Sequence, residues 1–193
     1  INTLVGFQNH ISASCPPFRD VILFGNGGGI SVVAADLFAQ CGLSIAEFDG
    51  ELKCRLKALD IGQGASMENP IDIPANALTR NPSQTIGELF NLVCRYQPGS
   101  ALVCHLNIPV LAVYDRIDLL EDVINVIGKI RKSRNLTVHL VLRSDQDPAN
   151  ETLRNHLRVC ANNEDIPTFD ELSESAAVLN QISVYELYHR RRP

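Results

Sequence analysis

Between Val21 and Gly42 the chain reads VILFGNGGGISVVAADLFAQCG: an apolar run, four glycines in five positions, then a helical pattern. A strand that ends in glycines and turns into a helix gathers backbone N–H groups and the positive end of a helix dipole at one point, which attracts phosphate or carboxylate. Glycine suits such a bend because a Cβ would hold the anion off the backbone and because some bend positions need positive φ. Asn26 adds a side-chain amide able to donate to the same anion. The candidate phosphate-binding residues are therefore Asn26, Gly27, Gly28 and Gly29.

The glycine pattern narrows the chemistry further. A P-loop needs a lysine and then Ser or Thr after its last glycine, and Ile30-Ser31 stands there, which excludes ATP cradling of that kind. A GxGxxG fingerprint fits Gly25 and Gly27, but its third position falls on Ile30, and the frame from Gly27 and Gly29 lands on Val32. Glu47 and Asp49 do lie about 20 residues on, where a ribose-binding acid belongs, so dinucleotide binding stays an alternative. A second alternative is that the glycines only let the helix pack closely. Against it, each glycine costs about 0.5–1 kcal/mol relative to alanine within regular structure, and simple packing rarely requires three in a row.

Asn69 and Asp72, in ENPIDIP, are candidate loop contacts at the same edge. The proline after Asn69 restricts that residue to extended backbone and Asp72 can bond local N–H groups, so both have a loop-shaping reading beside the functional one. His105 and His139 fall on or beside strand-like runs and read as core or edge histidines, and His10 lies in the lead-in. No nucleophile is paired with a base, and no cluster has metal-ligand spacing. The chain by itself is expected to catalyse nothing. The six cysteines lack CxxC pairing and mostly sit in apolar patterns, which implies buried reduced thiols.

The elements that must position these residues alternate. Strand-like runs at Val21–Phe24, Ser44–Glu47, Ala101–Leu106, Thr137–Leu142 and Ile166–Phe169 leave room for a helix between each, which implies one parallel sheet. The expected fold is α/β, a three-layer doubly wound sheet of about five strands in the order 2-1-3-4-5. Asn81-Pro82 and Asp147-Pro148 each place a capping side chain before a proline at the first helical position, and Asp170 can cap the last helix. Leu119, Leu120, Val123, Ile124, Ile127 and Ile130 recur at helical spacing, with basic residues after them. Residues 60–80 form the longest irregular stretch, and loops of that length are usually functional or mobile.

With 193 residues and 45% apolar content, one domain spanning 1–193 is expected, with a helical lead-in over 1–19. A net charge of −5 argues against coating nucleic acid or an anionic membrane. No run approaches the ~20 apolar residues that span a bilayer, and no signal peptide is evident, so the reading is cytoplasmic. The chain starts at Ile1, which makes a processed product or a piece of a longer protein an expectation.

The run Asn26 to Asp36, NGGGISVVAAD, resembles the NGGGPGVLAAD segment in the C-terminal flavodoxin-like part of NDP-forming acyl-CoA synthetases, relatives of succinyl-CoA synthetase. CGLSIAEFDGELKCRLKAL is similar to that family's second strand and helix, and ASMENPIDIPAN to its NPVDLTGD loop, matching at Asn69, Pro70 and Asp72. Ile30-Ser31 departs from the family's Pro-Gly, and CHLNIPVLAVYDRIDL is not a close match. In that family a histidine in a Ser-His-Thr-Gly motif on another domain carries a phosphoryl group, and helix N-termini from two domains stabilise it. The resemblance implies a flavodoxin-like CoA-ligase domain whose Asn26–Gly29 bend is one such helix end. It implies partners in CoA-binding and ATP-grasp domains or subunits, with CoA, NTP or NDP and Mg held there, and allows a homo-oligomer. No histidine here lies in a Ser-His-Thr-Gly context. Two further readings stay open: the synthetase-like portion of a protein lysine acetyltransferase, and a non-catalytic nucleotide- or flavin-binding module.

Overall fold

Along Asp20–Gly25 successive side chains enter two different apolar cores. Ile22 and Phe24 join one, Val21 and Leu23 the other, and all four are buried. Such a strand must be covered on both faces, which parallel sheets achieve with helices. The computed structural model describes residues 2–26, 30–77, 81–114 and 116–190. Within them the order is α1 (Asn2–Ser12), β1 (Asp20–Gly25), α2 (Ile30–Gln40), α3 (Gly50–Lys57), β2 (Ile71–Asp72) and a 3-10 turn (Ala75–Ala77), followed by α4 (Pro82–Tyr96), β3 (Ser100–Asn107), α5 (Ile108–Ala112) and α6 (Ile117–Arg134). The chain then continues through β4 (Val138–Arg143), α7 (Pro148–Asn163), β5 (Thr168–Phe169) and α8 (Leu172–Arg190).

The five strands form one all-parallel sheet in the order β2-β1-β3-β4-β5, a flavodoxin-like α/β fold. The larger core lies between one face and α3, α4, α6 and α7. The smaller lies between the other face and α2 and α8, with Phe7 of α1 packed at its margin. Side chains such as Phe38 and Ile182, fully withdrawn from water, each contribute about 1.5–3 kcal/mol.

One expected strand is replaced. The second strand of the sheet is Ile71–Asp72, whereas the apolar run at 44–47 makes only an isolated bridge, Val21 to Ile45. Both segments lie along the same edge of β1. Val21 N–H donates to Ser44 O at 2.8 Å and Ala46 N–H to Val21 O at 3.0 Å, while Phe24 and Gly25 pair with Ile71 and Asp72. Two short pieces of chain thus divide one edge position, and the longer irregular stretch supplies the piece nearer the carboxyl end.

Helix signals held unevenly. Asp147 caps α7, its carboxylate accepting from the N–H groups of Ala149 and Asn150. Asn81 does not cap α4. Its φ of 51° and ψ of 57° are left-handed rather than the extended backbone a capping side chain needs, and its amide donates to Gln84 Oε1 instead. Asp170 directs its carboxylate at Arg158 and Arg154. Asn135, φ 57°, closes α6 with the left-handed cap that glycine or asparagine favours. Cysteines 15, 94 and 104 are buried and all six are free thiols, but Cys54 is exposed, against expectation, because it faces away from Leu52 and Leu56 on α3.

Candidate functional site

β1 ends at Gly25 and α2 begins at Ile30, with Asn26 the described residue between them. Gly27, Gly28 and Gly29 lie outside the described residues. Asn26 is 1% exposed, and its Oδ1 accepts the N–H of Asn107 at 2.9 Å. That bond joins the ends of β1 and β3, neighbours whose connections leave on opposite faces of the sheet. The point between them is the topological switch at which open α/β sheets bind ligands. The other end of the Asn26 amide, Nδ2, is buried with no partner among the described residues.

Asn26 lines a small cleft over the carboxyl end of β1, bounded also by Gly25, Ala34, Pro70, Asp72, His105 and Leu172 among others. His105 sits opposite Gly25 in the β1–β3 register. It is 3% exposed and its Nδ1 also has no partner among the described residues. Burial first, and the nearby Arg143 charge second, lower its pKa to about 4, so the imidazole is neutral near pH 7. An unsatisfied buried polar group costs about 1–3 kcal/mol, and both of these atoms belong to residues that line the one cleft.

The structure separates the two predicted loop contacts. Asp72 is buried and lies on the cleft, its backbone paired with Ser66 on the outer side. Asn69 is spent on the sheet. Its Oδ1 accepts Leu23 N–H at 2.9 Å, and its Nδ2 donates to Val21 O and Ala46 O, each at 2.9 Å. The side chain acts as the missing peptide between the two pieces of chain that share the edge of β1. Its loop-shaping reading is therefore the one the geometry favours.

His105 is the residue that sequence reasoning read as a core or edge histidine without a place in the site. The available signal was parity: Ala101, Val103 and His105 share a face, and His105 comes last, at the carboxyl end where ligands bind. His139 is a core residue, 1% exposed, with Nδ1 bonded to Ser175 Oγ at 3.0 Å and its ring 4.5 Å from that of Phe169. His10 bonds Thr137 Oγ1 at 2.9 Å and Glu186 Oε1 at 2.8 Å, fastening the lead-in helix to α8. His156 meets Glu121 and Cys160 where α6 and α7 pack, a grouping that no local spacing announced.

No protein-family model matches the chain, and no curated protein matches it either. Solved structures do. PH0766 from Pyrococcus horikoshii superposes with a TM-score of 0.67 at 18% identity, over 97% of this chain and 40% of that one. The dinucleotide forming acetyl-coenzyme A synthetase 1 of Ca. Korarchaeum cryptofilum, in its apo form, gives 0.64 at 16% identity, over 99% of this chain and 38% of that one. The same synthetase in complex with phosphate and ADP gives 0.61 at 16% identity, over 95% and 38%. These likenesses show a shared fold, and the chain spans well under half the length of those proteins. No helix among the described residues is long and apolar enough to cross a membrane.

Proposed function

We propose that this chain is the flavodoxin-like CoA-ligase domain of an NDP-forming acyl-CoA synthetase, interconverting acyl-CoA, NDP and phosphate with acid, CoA and NTP. Its part is to receive a phosphoryl group carried on a histidine of another domain. The observation that carries this reading is the buried Asn26 amide, on a residue that lines the cleft between β1 and α2, with Nδ2 unpartnered among the described residues. A donor held there by the Asn107 bond needs no reorganisation when an anion arrives, which is what stabilising a transferring phosphoryl group demands. The N–H groups of Gly27 to Gly29 would supply the remaining donors. His105, neutral, can donate from one ring nitrogen, and Asp72 suits a donor on the incoming loop better than the phosphoryl oxygens. The fold shared with a synthetase whose complex holds phosphate and ADP agrees with this reading. So does the share of that chain covered, which leaves room for CoA-binding and ATP-grasp partners.

The test is phosphoryl transfer from NTP to the carrier histidine in the complete synthetase. Asn26→Asp keeps an acceptor for Asn107 N–H but replaces the donor, and Gly28→Val adds a branched side chain at the bend. Each should slow transfer by about 10²–10³, the loss seen when one fixed donor to developing charge is removed. CoA binding should be unchanged. Full activity in both variants, with folding verified by circular dichroism, would refute the reading. Bound flavin in the purified protein would favour the cofactor-binding module, and protein acetylation without acid:CoA ligation the acetyltransferase.

A further inference from the structure

On the other face of the sheet, α6 and α7 pack so that three different ligand atoms converge. Glu121 comes from the first two turns of α6, and His156 and Cys160 stand four residues apart on α7, which places them one above the other. His156 Nε2 lies 2.5 Å from Glu121 Oε1 and 3.8 Å from Cys160 Sγ. All three ligand atoms fall within 4.8 Å of one another, and none of the residues is fully buried, so solvent can deliver an ion.

We infer that Glu121, His156 and Cys160 form a binding site for a divalent transition ion of the zinc type. One carboxylate oxygen, one imidazole nitrogen and one thiolate sulfur make a borderline-soft set, which suits Zn²⁺ and argues against Mg²⁺ or Ca²⁺. Tetrahedral Zn²⁺ with the usual bond lengths sets its nitrogen and sulfur ligands about 3.6 Å apart and nitrogen and oxygen about 3.3 Å apart. The first separation is met within a few tenths of an ångström. The second requires the part-exposed Glu121 carboxylate to withdraw from its hydrogen bond by about 0.8 Å as the ion enters between it and His156. The thiol proton of Cys160 leaves to solvent as the sulfur binds. Three protein ligands leave a fourth position for water. The ion joins α6 to α7, so it raises the stability of the folded state by mass action.

Cobalt supplies the probe, because tetrahedral Co²⁺ is coloured and a thiolate ligand adds a sulfur-to-metal absorption band. Full-length reduced protein, stripped of metal and titrated with Co²⁺, should show one equivalent of the thiolate band per chain, displaced by Zn²⁺. Cys160→Ser should abolish the band. His156→Gln and Glu121→Gln should each weaken binding by at least the 10–100-fold that even an outer-shell partner is worth. Cys54→Ser, which removes an exposed thiol away from the cluster, should leave it intact. Zn²⁺ should raise the melting temperature of the wild-type protein and not that of Cys160→Ser. Absence of the band in wild type, its persistence in Cys160→Ser, or equal binding in the His156 and Glu121 variants would overturn the assignment. Should Cys160→Ser fail to fold, the two glutamine variants, altered at part-exposed or exposed side chains, still decide it.

Discussion

Replacing Asn69 with alanine removes three hydrogen bonds at once and takes from the buried N–H of Leu23 and the carbonyl of Ala46 the Asn69 partner they have now, while the Val21 carbonyl keeps the N–H of Ala46. Each such bond contributes about 0.5–1.5 kcal/mol net, and an orphaned buried group costs about 1–3 kcal/mol, so a loss near 3 kcal/mol is expected. For a chain of this size that corresponds to a fall of about 6–12 °C in melting temperature. Asn69→Asp sharpens the test. It keeps the acceptor for Leu23 N–H but sets a carboxylate against two carbonyl oxygens, which raises its folded-state pKa. The folded protein then holds a proton that the unfolded chain has released, so the Asp variant loses stability as pH rises through the acid range and recovers on acidification. Urea denaturation of wild type, Asn69→Ala and Asn69→Asp between pH 4.5 and pH 7.5 checks both points. A loss below about 1 kcal/mol for alanine, or an aspartate variant as stable as wild type at pH 7, would refute the peptide-like role of this side chain.

The pH dependence of the wild-type protein follows from its two buried strand histidines. Burial lowers His105 to about 4 and His139 to about 3, so between those values and the ordinary 6.5 the unfolded chain binds protons that the folded chain does not. Their contribution is complete above pH 6.5 and is lost on acidification, by at most about 1.4 kcal/mol per pH unit for each histidine. A denaturant midpoint that does not move between pH 7 and pH 5 would contradict this. Anion binding in the cleft should raise the His105 pKa from its low value, visible as a shifted NMR titration of that ring on adding inorganic phosphate; no shift would place the anion elsewhere. Gly6→Ala should loosen the lead-in helix, because a Cβ there collides with Cγ1 of the stiff, buried Val178 on α8, and overpacking of this kind costs about 1–3 kcal/mol. Limited proteolysis should cut near residues 12–18 faster in that variant, and an unchanged rate would contradict the collision.

What the sequence by itself determined was whatever depends on near neighbours along the chain. The apolar run into Gly25, the i, i+3 and i+4 apolar positions of α6, the Asp147-Pro148 start of α7 and the alternation of strands with helices all act within one element, and together they imply a parallel doubly wound sheet. Asn26 was legible as a residue at the strand end because it follows the apolar run directly. Tertiary structure decided the rest, since a side chain's partner can come from anywhere in the sequence. Residues 44–47 carry an apolar pattern, yet the place beside the carboxyl end of β1 went to Ile71–Asp72, because the Asn69 amide could bridge the two segments across a gap that no local pattern describes. His105 became a cleft residue only when the β1–β3 register set it opposite Gly25, with its Nδ1 unpaired among the described residues. Glu121 and His156, 35 residues apart, meet because two amphipathic helices must bury their apolar stripes against the same face of one sheet.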